Sequence, residues 1–190
     1  MRPDDFPMIW RLWRAAPLLF MPALLAASPA TAVFAQQTAT VTGLQTGSVT
    51  GLPVPRYVSL KTDRVNLREG PSKDHATTWV FQRAGLPVQI TAEFETWRKV
   101  RDSEGAEGWV LHSLLSGRRT ALVAPWRKNE NFKIFARPSE SADLAATLQS
   151  GVIGSIRSCD GAWCLIDGDG FKGYIKQSNL WGVDPGDKIE

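Results

Sequence analysis

From Tyr57 onward, apolar and polar residues alternate in short runs rather than at helical spacing. Val65 and Leu67 share one face of such a run, as do Phe132 and Ile134, and Val88 and Ile90 alternate in the same way. A side-chain period of two residues predicts β-strands. Trp97 and Val100 come after a turn, and Trp109 and Leu111 after a Gly-rich one marked by Gly105 and Gly108. Asp160-Gly161 and Asp169-Gly170 are hairpin-turn dipeptides, because they tolerate the positive backbone angles that tight hairpins need. Short strands at this spacing predict an all-β fold, a small barrel or sandwich.

The pattern occurs twice. Arg64–Ser72 aligns with Asn131–Ser139, Gly85–Ile90 with Gly151–Ile156, Trp97–Val100 with Trp163–Ile166, and Gly108–Leu115 with Gly173–Leu180, at offsets of 67, 66, 66 and 65. Four anchors in one order imply an internal duplication. Each unit is small enough to be marginal alone, so packing between the two is expected. Residues 116–127 join them, and Thr120–Val123 could add a strand.

The N-terminus has a different pattern. Arg2, Arg11 and Arg14 precede an uncharged apolar stretch from Ala15 to Ala27, and small residues lead to Ala35. That is the layout of a secretory signal peptide, 1–35, with cleavage expected after Ala35. A retained anchor is the alternative, but Pro17, Pro22 and Pro29 disfavour a spanning helix. Contact with a membrane is therefore expected only through the signal peptide before cleavage. Residues 36–56, up to Arg56 uncharged and rich in Gly and Thr, read as a flexible lead-in.

Composition narrows the chemistry. The chain has 190 residues, with 22 Lys and Arg against 19 Asp and Glu. Removing the leader leaves 19 basic and 17 acidic residues, too balanced to argue for nucleic acid. Export makes nucleic-acid partners still poorer guesses. Two His and two Cys leave little material for a metal site. No G-x-S-x-G, H-E-x-x-H or P-loop occurs, and neither His75 nor His112 adjoins a nucleophile motif, so no catalytic residue and no cofactor is expected. Asp167-Gly-Asp169-Gly170 lacks the further oxygen ligands of a calcium loop and reads as a turn.

Val65-Asn-Leu-Arg-Glu-Gly-Pro-Ser72, the Gly-led strand, the mid-domain Trp and the closing Gly-Trp-Val…Ser-Leu-Leu resemble bacterial SH3-like (SH3b) domains. The resemblance covers residues 57–182 and implies two tandem five-stranded barrels. Domain 1 is expected over 57–124, domain 2 over 125–184, and a C-terminal tail over 185–190. The second unit departs from the pattern where Arg137 replaces Gly70, which puts a Gly-requiring backbone there in doubt. The family implies a non-enzymatic binding role toward peptidoglycan or another envelope component, with a protein–protein adaptor on an envelope protein as the alternative. One fold hosts many functions, so the ligand is not implied. The location expected is periplasmic behind an outer membrane, otherwise secreted or wall-associated.

Cys159-Asp-Gly-Ala-Trp-Cys164 closes a tight hairpin that places the two Cys opposite each other. An oxidising compartment favours a structural disulfide. A redox-active pair is the rival, but it usually has a two-residue spacer at a helix N-terminus. The alignment places Glu93 on Cys159 and Arg98 on Cys164, so an exposed cross-strand ion pair is expected in the first unit. Trp97 and Trp163 recur at one position and are expected in the two cores. Trp79 and Phe81, in the long connection that holds the ligand loop of SH3-like folds, are candidates for an exposed aromatic site. Trp126 is a weaker candidate, with Tyr57 and Trp181. Arg118 and Arg119 suit anionic groups, with interdomain ion pairing as the alternative.

Overall fold

The structure is a computed structural model that describes residues 45–190. The expected signal peptide and its cleavage site lie outside the described residues, as does the first part of the lead-in. The described residues contain no α-helix. A two-stranded hairpin, β1 (Gln45–Thr46) and β2 (Pro53–Val54), comes first among the described residues. The first repeat follows as β3 (Arg56–Leu60), β4 (Val65–Arg68), β5 (Thr77–Phe81), β6 (Pro87–Phe94), β7 (Trp97–Arg101), β8 (Glu107–Leu111), a 3-10 turn and β9 (Leu115–Ser116). The second runs through β10 (Thr120–Val123), β11 (Asn131–Phe135), β12 (Leu144–Gln149), β13 (Ile153–Asp160), β14 (Trp163–Gly168), β15 (Phe171–Lys176), another 3-10 turn, β16 (Leu180–Trp181) and β17 (Lys188–Ile189).

The two repeats have the same topology. Strands order as β5-β4-β8-β7-β6-β3-β9 in the first and β12-β11-β15-β14-β13-β10-β16 in the second. In the first repeat β3 and β6–β9 form a five-stranded curl, and the β4–β5 hairpin hangs on the edge of β8 through Arg68 and Trp109. The bulges also match. One residue is extra between Ile90 and Ala92 in β6, and one between Ile156 and Ser158 in β13. A bulge bends a strand and sharpens its twist, which lets an eight-residue strand serve both sides of a small barrel.

Each repeat has its own core. Leu60, Val65, Leu67, Phe81, Val88, Ile90, Val100 and Val110 fill the first, while Val123, Phe132, Ile134, Ile156, Ile166, Ile175 and Leu180 are in the second. The inward residues of β4 and β11 are the alternating apolar ones of the sequence. Gly108 and Gly173 have a shared reason. A Cβ on Gly108 would stand 2.8 Å from the Arg68 carbonyl, and one on Gly173 would stand 3.0 Å from that of Phe135. Both repeats need bare backbone where the hairpin crosses the sheet. Gly70 is different, because its φ is not positive. The His75 imidazole lies where a Gly70 side chain would go. The repeat alignment puts Ala142 at the His75 position, and Arg137 has no positive φ.

Three expectations change here. Strand β10 pairs with β13 and β16, so Thr120–Val123 belongs to the second barrel, and the junction precedes residue 120 instead of following 124. The tail expected over 185–190 contains β17, which pairs with β13 at Cys159 and Asp160. The described part of the lead-in is an ordered hairpin whose loop docks on Glu93. Val49 N–H and Thr50 N–H donate to Glu93 Oε2 at 3.0 and 2.8 Å, and the Thr50 hydroxyl donates to Oε1 at 2.7 Å.

Glu93 and Arg98 do face each other across β6 and β7, in the register that Cys159 and Cys164 have across β13 and β14. The cysteines form the expected disulfide, with Cα atoms 4.1 Å apart. The ion pair is buried rather than exposed. Its atoms are 3.5 Å apart, and Arg56 adds a second cation 2.7 Å from the same carboxylate. Burial alone would raise the Glu93 pKa. Hydrogen bonds from Thr50, Arg56 and the Thr50 and Val49 amides outweigh it and hold the carboxyl at about 2.

The barrels touch through a polar and aromatic seam. Trp181 meets Tyr57 edge to face, with ring centroids 5.3 Å apart, and its indole N–H donates to the Pro87 carbonyl at 3.2 Å. Arg83 donates to the Gly151 carbonyl at 2.8 Å, and the Thr120 hydroxyl to that of Gly85 at 2.7 Å. Burial, with Asp184 and Asp187 nearby, pushes the Tyr57 phenol up to about 12.

Candidate functional site

The outward positions of the edge hairpin, the mid-domain Trp and the end of the last long strand frame a cleft in each repeat. In the first, Arg64, Asn66, Arg68, Lys73, Trp97, Leu111 and Leu114 line about 270 Å³. In the second, a cleft of about 340 Å³ includes Asn131, Lys133, Phe135, Glu140, Trp163, Lys176 and Asn179. These are the same seven positions under the repeat alignment. The β-strand period explains the match. Asn66 on β4 and Lys133 on β11 stand between buried apolar residues, so they and their neighbours two positions away face out together.

The second cleft is more aromatic. Phe135 meets Trp163 edge to face at 5.9 Å, and Lys176 Nζ lies 5.9 Å from the Trp163 ring centre while pairing with Glu140 at 2.6 Å. A further hollow of about 510 Å³ shares Trp163 and Lys176 and extends past Trp126, Leu180 and Trp181 to Pro185 and Gly186. Its far wall is the C-terminal segment. That segment is held by buried Gln177, whose amide donates to the Asp187 carbonyl at 2.9 Å and accepts from Gly186 N–H at 2.8 Å. Indole faces beside a cation and amide groups can take the CH faces and hydroxyls of a sugar, or an extended peptide. An aromatic groove is therefore present in the second repeat.

The sequence candidates scatter. Trp126 is 53% exposed and lines the second-repeat hollow. Trp79 is 59% exposed, but it stands on β5 opposite Leu67, outside both clefts. Phe81 is a core residue of the first barrel, so it offers no surface. Phe81 pairs with Val65 and Trp79 with Leu67 in the regular part of the hairpin, on one face of the strand, but only Phe81 is covered by the core. Arg118 is exposed and donates to the Ser155 hydroxyl. Arg119 is half-buried, donating to the Gly182 carbonyl at 3.0 Å and pairing with Asp187 at 3.3 Å. These two arginines tie segments together instead of lining a cleft. Trp97 is buried as expected, whereas Trp163 is half-exposed as a cleft wall rather than a core residue. Phe135, Trp163 and Lys176 were not expected at a site. The signal available for them was the pairing of outward positions between repeats.

Among the described residues no group of His, Cys, Asp and Glu could hold a metal ion. No curated protein matches the chain. Among solved structures it is similar to NlpC2 from Trichomonas vaginalis, at 17% identity and TM-score 0.30, with 67% of this chain and 48% of that one covered. It is also similar to NlpC1 from Trichomonas vaginalis, at 16% identity and TM-score 0.31, with coverages of 71% and 48%. The chain thus spans about half the length of those structures. A family profile described as Bacterial SH3 domain matches residues 61–117 and again 128–182. Those two matches take in more than half of the sequence, and each falls on one of the two barrels, so the chain belongs to the bacterial SH3 domain family, as a tandem pair.

Proposed function

We propose that this chain is an exported, non-enzymatic binding protein whose two SH3 modules recognise peptidoglycan or another component of the bacterial envelope. The observation that carries the reading is the repeated cleft. Two diverged repeats keep a hollow at the same seven positions, with a Trp in each. A fold does not need surface hollows to be stable, whereas ligand recognition does. The disulfide and the leader-like N-terminus support an oxidising compartment outside the cytosol. Co-sedimentation of residues 36–190 with purified peptidoglycan tests the reading. Pelleting that is lost on Trp163→Ala together with Lys176→Ala supports it, and no pelleting at low salt contradicts it.

One observation favours the adaptor as a second reading. Strand β5 is one of the two edge strands of the first sheet and carries the exposed Trp79. An open edge beside an aromatic anchor can accept a strand from a protein partner. Capture of an envelope protein that depends on Trp79 and not on either cleft would favour it.

A further inference from the structure

The two clefts share a frame but not a charge. At the positions filled by Asn131, Phe135 and Glu140 in the second repeat, the first carries Arg64, Arg68 and Lys73. The second cleft pairs two of its three cations and leaves Lys133 without a salt bridge among the described residues. Lys176 pairs with Glu140, and Arg127 with Glu130 at 3.4 Å. The first cleft has three cations and no carboxylate in its lining. Among the described residues none of the three is in a salt bridge, and Arg68 makes only a bond from Nη1 to the His75 carbonyl, at 2.7 Å. The second repeat is an internal control, because it builds the same cleft without these cations. The fold therefore does not require them.

Three unpaired cations converging over Trp97, Leu111 and Leu114 form a positive rim around an apolar floor. Resting on the reading of the repeated cleft as a binding site, we propose that the first-repeat cleft binds an acidic glycan, whose carboxylate or phosphate groups pair with Arg64, Arg68 and Lys73. Guanidinium forks suit either oxyanion. The floor suits the CH face of a sugar ring. An extended acidic peptide would also need partners for its backbone amides, and Asn66 is the only side-chain amide in the lining. The second cleft, with two carboxylates against three cations and its indole open, takes a less charged part of the ligand.

The test uses one backbone in three forms: dextran, carboxymethyl-dextran and dextran phosphate. Binding to residues 36–190 is followed by calorimetry at several salt concentrations. The variant R64N/R68F/K73E installs the residues with which the second repeat folds. A control, K61E/K172E, removes the same net charge from exposed positions outside both clefts. Either acidic dextran should bind, more weakly as salt rises, and which one binds identifies the anion. The triple variant should weaken that binding about tenfold or more, with the control within about twofold of the parent. Equal loss in the control, binding of plain dextran as strong as of the acidic forms, or binding of polyglutamate alone would overturn the proposal. Peptidoglycan pelleting run beside it separates the two readings. Pelleting without acidic-dextran binding overturns the anion site alone. Cleft-dependent acidic-dextran binding without pelleting upholds the anion site and contradicts the peptidoglycan reading.

Discussion

Glu93 and Arg98 face each other across the β6–β7 hairpin at the positions that Cys159 and Cys164 occupy in the second repeat. One barrel fastens its central hairpin with a covalent bond, and the other with a buried charge cluster. Each fastening is also covered by a flanking segment: the β1–β2 loop over Glu93, and β17 over Cys159. The segments flanking the two repeats thus do equivalent work.

Breaking the charge cluster should be costly, because one removed partner leaves buried charge uncompensated. Glu93→Gln is expected to destabilise the first barrel by about 3–5 kcal/mol. It also loosens the 47–52 loop, whose amides and hydroxyl bind that carboxylate. Urea denaturation measures the first effect, and hydrogen exchange at Val49 and Thr50 the second.

The same carboxylate sets an acid limit. Its folded pKa of about 2 lies below the ordinary 4.5, so the unfolded chain binds a proton more readily than the folded one. The stabilisation is complete above about pH 4.5 and is lost as pH falls toward 2. The first barrel should therefore lose stability across that window, and Glu93→Gln should flatten the contribution. Denaturation midpoints between pH 6 and pH 2 give the comparison.

Removing the disulfide acts on the second barrel. The short loop between Cys159 and Cys164 restricts the unfolded chain modestly, so the Cys159→Ser/Cys164→Ser double variant should cost about 2 kcal/mol. The first barrel has no cysteine and should respond only through the seam. Thiol titration of the native protein should find no free thiol.

Trp79 and Phe81 differ by two residues and should differ sharply in effect. Trp79 is 59% exposed and Phe81 4%. Trp79→Ser is expected to change stability by about 0.5 kcal/mol or less. Phe81→Ala should cost about 3–5 kcal/mol, because it empties a core site. Thermal melts of the two variants check the assignment.

Much of this arrangement was legible in the sequence. The alternation at Val65–Leu67 and Phe132–Ile134, the Gly turns and the duplicated anchors specify two all-β units, because strand period and turn chemistry are local properties. The Cys159–Cys164 bridge was legible because a short hairpin leaves few alternatives. Burial of the Glu93 pair was not, since it depends on a loop about forty residues earlier folding back to supply two amides and a hydroxyl. Phe81 was misplaced because Trp79 and Phe81 share one face of β5, and alternation does not say which of the two the core covers. The cleft was hidden because Arg68, Trp97 and Leu111 become neighbours only when the β4–β5 hairpin crosses β8. The repeat alignment held that information once one cleft was known.

The central claim is that ligand is held in the two equivalent clefts. Nuclear magnetic resonance of residues 36–190 titrated with soluble peptidoglycan fragments tests it most directly, because each indole and backbone amide reports its own site. The account predicts that the Trp97 and Trp163 indoles shift, with the amides of Arg68, Phe135 and Lys176, while Trp79 stays fixed. Shifts confined to Trp79 and its neighbours on β5, or no shifts at saturating fragment, would contradict it.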